Sequence, residues 1–423
     1  MRISVGMTIL LVLAIGAIAE PSAFAQEEGS EEVEEQGAPR QFQIGDFLYR
    51  LGPGMPWGPF RFHPYAAQYF VYDDNIFLTD EISSDPSSEE VAEMSSETTL
   101  GLRIDSTFED HFATVEYQTQ IVAYLLEGTS GLVRQMGMAQ FRLDFARPYF
   151  DLRHVYRDSD DPVVEQPDLD RFRRATNYTD FLAGLEFEKL GIEAGFHNRN
   201  YDFKETATEY LDHNEFWIHG RVFYQMSPKL APYGQVDYGA STYGGEESTG
   251  STPISLNDYS YIRLWLGAIS HPAEKASIHG RIGVMLQSVD EDSGTNPDDE
   301  EFQGAVAALS VEYNLSPKTR LGVGFIRDVQ FSGTSNYQLV DRFELRLDYR
   351  FTERVLTSGL GFFESSDPSA TDAFQRFGLG VILDYRLKDW IHLGVQYQHR
   401  QRTAKEVGDY TNNRFLGNVT VFF

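Results

Sequence analysis

The chain has 423 residues, a formal net charge of -29 and a mean hydropathy of -0.36, with 23 Tyr and 31 Phe. This acidic balance argues against nucleic-acid binding, because nucleic-acid binders carry basic patches. The sequence has no cysteine, which excludes disulfide scaffolds, thiolate metal sites and cysteine nucleophiles.

The N-terminus has the pattern of a secretory signal peptide. Arg2 precedes an apolar stretch over 9–19, and small residues at Ala23 and Ala25 form a cleavage site before Gln26. The apolar stretch is too short to span a bilayer as a retained helix. We therefore predict that the chain is exported from the cytoplasm.

After this leader, alternation of polar and apolar residues is the main structural signal. The clearest example is 341–351, where apolar side chains at every second position oppose charged ones. Period-two spacing places the two sets on opposite faces of a strand. About eighteen such segments predict strands near 64–73, 98–106, 111–125, 133–145, 149–158, 175–189, 192–202, 212–225, 229–241, 257–270, 275–289, 301–314, 318–330, 336–351, 354–366, 372–387, 390–402 and 409–423.

The connections between these segments alternate in length. Short ones such as 146–148 and 388–389 alternate with longer ones such as 74–97 and 159–174. Outer-membrane barrels sort their connections in this way, with short periplasmic turns and longer extracellular loops. The sequence therefore predicts an all-β fold, a transmembrane antiparallel β-barrel of about 18 strands in a bacterial (Gram-negative) outer membrane.

The predicted organisation of the chain has four parts. In order they are a signal peptide, an acidic disordered segment, a periplasmic N-terminal arm and the outer-membrane β-barrel: 1–25, 26–40, 41–63 and 64–423. The second part is rich in Glu and almost free of apolar residues, which is typical of disorder.

The positions of aromatic residues also support the predicted barrel and its two membrane interfaces. Those beside the short turns predict a periplasmic girdle: Phe145, Phe187, Tyr224, Tyr313, Phe351, Tyr385 and Trp390. A second set predicts the opposite belt: Tyr238, Phe325, Phe362 and Tyr397.

The chain ends on an alternating strand in which Val419, Val421 and Phe423 share one face. The terminal Phe resembles the C-terminal signal of bacterial outer-membrane proteins. That resemblance implies the barrel-assembly machinery as a partner, besides outer-membrane lipid and lipopolysaccharide.

A motif closes the first predicted strand: Tyr72, Asp73, Asp74, Asn75, Ile76, Phe77 and Thr79. It resembles the Y-D-x-N-I-(F/Y)-x-T signature of the putative β-barrel porin 2 family, outer-membrane proteins with a porin-like barrel. Some relatives are associated with exopolysaccharide export. The Asp-Asp-Asn run also suits a strand-to-loop transition, where Asx side chains bond local backbone.

Charged residues, most of them arginines, lie on the polar faces of the strands. They are predicted to line the lumen: Arg142, Arg221, Arg263, Arg281, Arg342, Glu344, Arg346, Asp348, Arg376, Asp384, Arg386 and Arg400. Basic side chains in a pore favour anions, and mixed charges create a transverse field. Alternatively, these arginines pair with carboxylates and brace the wall. Both interpretations stay open at this point.

Neither a cofactor nor a catalytic or metal site is expected. The acidic loop 290–301 is either solvated or binds divalent cations that bridge lipopolysaccharide, and it lacks EF-hand spacing. No nucleophile or zinc motif is present, although an outer-membrane hydrolase stays a minor alternative. We expect a channel for passive diffusion of small hydrophilic solutes. The alternatives are a conduit for exopolysaccharide export and a non-conducting surface scaffold or adhesin.

Overall fold

A computed structural model describes residues 54–76, 91–108, 111–126, 131–160, 173–204, 206–244, 257–290, 300–330, 337–369, 373–404 and 409–423. Within these ranges the chain forms nineteen strands and one short 3₁₀ helix, Thr206–Leu211. The strands are β1 Met55–Trp57, β2 Phe60–Asp73, β3 Glu93–Ser106, β4 His111–Tyr124, β5 Leu132–Asp144, β6 Pro148–Ser159, β7 Arg174–Glu186, β8 Leu190–Phe203, β9 His213–Tyr224, β10 Leu230–Tyr243, β11 Asp258–Ala273, β12 Ala276–Asp290, β13 Gln303–Ser316, β14 Thr319–Gln330, β15 Gln338–Thr352, β16 Val355–Pro368, β17 Phe374–Lys388, β18 Ile391–Ala404 and β19 Tyr410–Phe422.

Strands β2 to β19 form one closed antiparallel barrel of eighteen strands. Each strand pairs with its neighbours in the chain, and β19 pairs with β2 to close the sheet. Closure removes the sheet edges, so that backbone N–H and C=O groups are satisfied without water inside the bilayer. The predicted fold class and strand number are confirmed.

The first hairpin lies at the periplasmic end of the barrel and was not predicted. β1 pairs with the start of β2, with Met55 opposite Phe62. Gly58 occupies the turn with a φ of 58°, a left-handed conformation that glycine adopts without steric cost. β2 consequently starts at Phe60, inside the predicted N-terminal arm. The predicted signal peptide, the acidic segment and the arm up to residue 53 lie outside the described residues.

The connections alternate as expected. The periplasmic ones include 145–147 and 353–354, whereas the extracellular ones include 74–92 and 160–173. No helix in the described ranges is long and apolar enough to cross a membrane.

The outward face of the barrel is apolar. On β15, for example, Phe343, Leu345 and Leu347 are 47%, 45% and 44% exposed, while the alternate residue Arg342 is buried. An apolar exterior with a polar interior reverses the pattern of a soluble protein and matches a barrel surrounded by lipid.

The aromatic girdle beside the periplasmic turns is in place. All seven predicted members are at least 36% exposed: Phe145, Phe187, Tyr224, Tyr313, Phe351, Tyr385 and Trp390. In the opposite belt, Tyr238 and Phe325 also face outward, whereas Phe362 does not. The register places Phe363 opposite Phe377 on the outer face and Phe362 opposite Gly378 on the inner face. The prediction for Phe362 was therefore wrong.

Inward-facing aromatic rings lie flat over glycines of the neighbouring strand. A Cβ atom at Gly378 would be 2.0 Å from the Phe362 ring, and one at Gly101 would be 2.1 Å from the Tyr65 ring. Such packing covers backbone that glycine leaves bare and pins the register of the two strands.

Candidate functional site

The candidate site is the inner wall of the barrel, where the alternating charged residues meet. In its extracellular half, β11 places Arg263 fully inside. The Nη1 group of Arg263 donates to Asp328 on β14 at 3.2 Å, and its Nε lies 3.7 Å from Asp237 on β10. Trp265 donates from Nε1 to the same Asp237 at 2.8 Å. This arginine is braced by two carboxylates.

A second network joins β15, β16 and β17. Glu364 is 1% exposed and accepts a hydrogen bond from Nε of Arg376 at 2.7 Å. Nη1 of Arg342 lies 3.6 Å from the other oxygen of Glu364, and its guanidinium carbon lies 4.5 Å from the Phe362 ring centroid. One carboxylate therefore serves two buried arginines, an arrangement that requires close pairing because buried charges lose their hydration.

A third network spans β8, β9 and β10. Nη1 of Arg221 lies 2.8 Å from Glu193, and its Nε donates to Gln235 at 2.8 Å.

Arg281 on β12 is 2% exposed, and its guanidinium carbon lies 4.2 Å from the Trp265 ring centroid. Cation–π contact stabilises this guanidinium in the wall.

The accessible part of the inner wall lies mainly in the periplasmic half. Arg346 pairs with Asp348 at 3.2 Å, and their side chains are 37% and 20% exposed. Arg142 pairs with Asp144 at 2.9 Å, with 21% and 39% exposed. Accessible arginines are thus accompanied by a carboxylate two residues away on the same strand face.

The remaining predicted residues occupy the same inner face at different heights. Arg400 is 8% exposed beside Gln398, and Glu344 lies next to Arg342. Arg386 lies at the periplasmic mouth, where its Nη2 donates to the backbone oxygen of Glu353 at 2.9 Å. Asp384 follows the inward alternation of β17.

Apolar side chains cover the inner wall of the extracellular half on one side. A buried cluster covers the inner wall of β9 and β11 to β14: Trp217, Tyr259, Tyr261, Trp265, Met285, Phe302, Val306, Ala308, Ile326 and Val329.

Sequence reasoning missed several buried charged residues of the inner wall. Arg199 and Asp328 each stand beside other polar residues, so that the alternation does not reveal which of them faces inward. Glu193 could have been found, because Ile192 and Ala194 flank it in regular alternation. Within the described ranges, no three His, Cys, Asp or Glu side chains are grouped to hold a metal ion. Most of the acidic loop 290–301 lies outside those ranges.

The motif that closes β2 lies at the barrel seam. Asp74 accepts hydrogen bonds from the backbone N–H and from Nδ2 of Asn413 on β19, at 2.6 and 2.7 Å. Nδ2 of Asn412 donates to Asp73 and to the backbone oxygen of Asn75, the latter at 3.0 Å. The motif thus joins the first and last barrel strands. Its members Phe77 and Thr79 lie outside the described residues, and Tyr72 faces outward.

The C-terminal residues complete the same seam at the periplasmic end. The N–H of Phe423 donates to the backbone oxygen of Pro64 at 3.0 Å. Val419 and Phe423 are exposed on the outer face. Recognition of this strand by the assembly machinery stays a prediction.

An eighteen-stranded barrel with an apolar exterior and a charged interior defines a porin-like protein of the outer membrane. The family model described as "Putative beta-barrel porin 2" matches residues 52–423, and the chain belongs to that family. Among curated proteins, none matches the sequence significantly.

Three solved structures of outer-membrane proteins are similar to this chain at low sequence identity. OpdK from Pseudomonas aeruginosa is 10% identical, with a TM-score of 0.47 over 86% of this chain and 99% of that chain. A BenF-like porin from Pseudomonas fluorescens Pf-5 is 10% identical, with a TM-score of 0.49 over 86% and 99%. OccAB4 from Acinetobacter baumannii is 12% identical, with a TM-score of 0.47 over 89% and 100%.

Proposed function

We propose that this protein lets small hydrophilic solutes diffuse passively across the outer membrane through a lumen rich in arginine. The observation that carries the proposal is the accessible charged wall of the periplasmic half, formed by pairs such as Arg346–Asp348 and Arg142–Asp144. Charged side chains on the inside of a lipid-embedded barrel remain stable where water fills the lumen.

The pairing of charges limits the ion selectivity of this pathway. Each of these accessible arginines has a carboxylate within 3.2 Å, so that the wall presents both signs to a passing solute. Mixed charges orient polar solutes in a transverse field without strongly excluding either sign. We therefore expect a weak preference for anions and free passage of small neutral sugars.

The packed aromatic cluster bears on the size of the solute. Large side chains, including Trp217, Tyr261 and Trp265, occupy the inner wall on one side of the extracellular half. We infer a narrower lumen at this level, which favours small solutes over a polysaccharide chain, and the export alternative therefore ranks second.

Two measurements test the proposal on the full-length protein. In liposome swelling, we expect uptake of monosaccharides and a steep fall in rate as the sugar grows. In planar bilayers with a salt gradient, we expect stable conductance and a small reversal potential whose sign indicates a preference for anions. Absence of conductance would instead support a scaffold or adhesin, and strong cation preference would contradict the anion preference.

A further inference from the structure

The outward face of β2 to β8 interrupts its apolar surface with a row of uncharged polar residues and one histidine. This polar row consists of Gln68, Ser96, Thr98, Thr119, Gln135, His154, Thr179 and Asn198. Their neighbours on the same face point into lipid, since Phe70, Leu100 and Ile121 are 52%, 51% and 51% exposed. The polar row therefore belongs to the membrane-facing surface.

The polar row lies at the depth of hydrocarbon. Thr98 and Thr119 are each the ninth residue from the periplasmic end of their strands. With a rise of about 3.3 Å per residue and a tilt of about 40°, they lie roughly 20 Å above that end, within an apolar band of about 25 Å. Exposed apolar residues resume beyond them, at Met94 and Ile121. On the opposite wall, Phe363 is also the ninth residue of its strand, β16.

Members of the polar row lie next to one another across the sheet. Thr98 donates to Oε1 of Gln68 at 2.7 Å, and Nδ1 of His154 lies 2.9 Å from the hydroxyl of Thr179. Thr119 lies opposite Gln135 in the register. The Gln68 amide also donates to the hydroxyl of Ser96 at 2.9 Å and to the backbone oxygen of Tyr69 at 3.2 Å, so its donors are used within the chain itself. The amide of Gln135 has no hydrogen-bond partner among the residues that the structure describes. Lipid tails supply no further partner, so that this surface favours contact with another polar surface.

The shape of the same face suits close approach. Small residues occupy outward positions around the polar row, including Ala66, Gly137, Ala139, Ala183 and Ala194. On the opposite wall, β15 and β17 carry large ones, including Phe343, Leu379 and Val381, whereas β16 between them has Gly359 and Gly361 besides Phe363. Small residues let membrane-embedded surfaces pack closely, and polar residues then bond across the contact.

We propose that copies of this chain associate with one another in the outer membrane through the outward face of β2 to β8. A second copy is the partner that this chemistry fits, because amides and hydroxyls both donate and accept and are therefore self-complementary. Binding of lipid phosphates would require Lys or Arg, and the polar row contains neither. The inference is independent of whether the lumen conducts.

Photo-crosslinking in native outer membranes tests this interface. The photoreactive residue p-benzoylphenylalanine replaces Gln135 in one variant and Phe363 in a matched control at similar depth. It reacts with C–H bonds and therefore works in lipid. We expect an adduct of twice the chain mass at position 135, identified by mass spectrometry as two copies of this chain, and at least fivefold less at position 363.

A second experiment separates the interface from folding. The triple variant Thr119→Val, Gln135→Leu and Thr179→Val makes the polar row apolar and keeps the side chains close in volume. We expect heat-modifiable electrophoretic mobility to stay normal, while the oligomer fraction in light scattering falls at least fivefold. The proposal is overturned if the chain is monomeric in both assays, or if positions 135 and 363 crosslink equally. It is also overturned if position 135 captures only lipid or a different protein.

Discussion

The carboxylate of Asp74 accepts two hydrogen bonds from Asn413, one from the backbone N–H at 2.6 Å and one from the side-chain amide at 2.7 Å. These residues are 339 positions apart and meet where the barrel closes. The register of β19 and β2 runs over only nine residue pairs, ending at Asp73. The side chains of the motif therefore reinforce the end of the seam, where the backbone N–H of Asp74 also donates to the backbone oxygen of Asn413 at 3.1 Å.

Substitution of Asp74 by Ala is expected to weaken closure. The change leaves two donors of Asn413 without their acceptor, at a cost of about 1–3 kcal/mol in the free energy of unfolding. Urea unfolding of the barrel in lipid vesicles, followed by its heat-modifiable mobility, measures this change.

Asp341 provides a control for that experiment. It forms an exposed pair with Arg327 at 2.9 Å, away from the seam. Exposed pairs contribute about 0–1 kcal/mol, so Asp341→Ala should have little effect. If both variants lose the same free energy of unfolding, the hydrogen bonds at the seam contribute no more than an ordinary surface pair, and the prediction is wrong.

Substitution of Glu364 by Gln is expected to destabilise the barrel more strongly. Arg342 and Arg376 would remain buried without their shared carboxylate, which costs about 3–5 kcal/mol when one partner of a buried pair is removed. The free energy of unfolding should fall by that amount. Arg320→Gln, which breaks an exposed pair with Glu312, should change it by less than about 1 kcal/mol.

The contact between Phe362 and Gly378 predicts a non-additive pair of substitutions. Gly378→Ala places a methyl group 2.0 Å from the ring, so overpacking should cost about 1–3 kcal/mol. Gly359→Ala, where nothing lies within 4 Å, should have little effect. The double variant Phe362→Ala, Gly378→Ala should lose less stability than the sum of the losses of the two single variants, because the added methyl group no longer overlaps a ring. Simple additivity would show that the ring does not restrict position 378.

Reversal of charge on the accessible wall is expected to change ion preference. Arg346→Glu leaves Asp348 beside a second carboxylate, so the lumen should shift toward cations. A unit charge at 4 Å in water is worth about 1 kcal/mol, which sets an upper limit of roughly fivefold in permeability ratio per substituted charge. Reversal potentials in a salt gradient measure the shift.

The control for that measurement is Arg327→Glu, which changes the same charge on an outward-facing pair of β14 and β15. Its reversal potential should stay close to that of the unmodified protein. A shift as large as that of Arg346→Glu would place the selective charges outside the periplasmic half of the lumen.

The amino-acid sequence by itself determined the inside and outside of the barrel and the number of its strands. Period-two alternation is local, because each side chain follows the pleat of its own strand. Arg342 and Leu345 could therefore be assigned to opposite faces without knowledge of any neighbour. The order of short and long connections likewise separated the two ends of the barrel.

Only the tertiary structure decided which side chains meet. Arg263 reaches Asp328 three strands away, and Asp74 reaches Asn413 across the closure, since register and curvature bring distant positions together. Adjacent Phe362 and Phe363 look alike in sequence, and a shift of one residue exchanges their faces. The pairing with β17 selects one of them for the lumen and leaves the other to lipid.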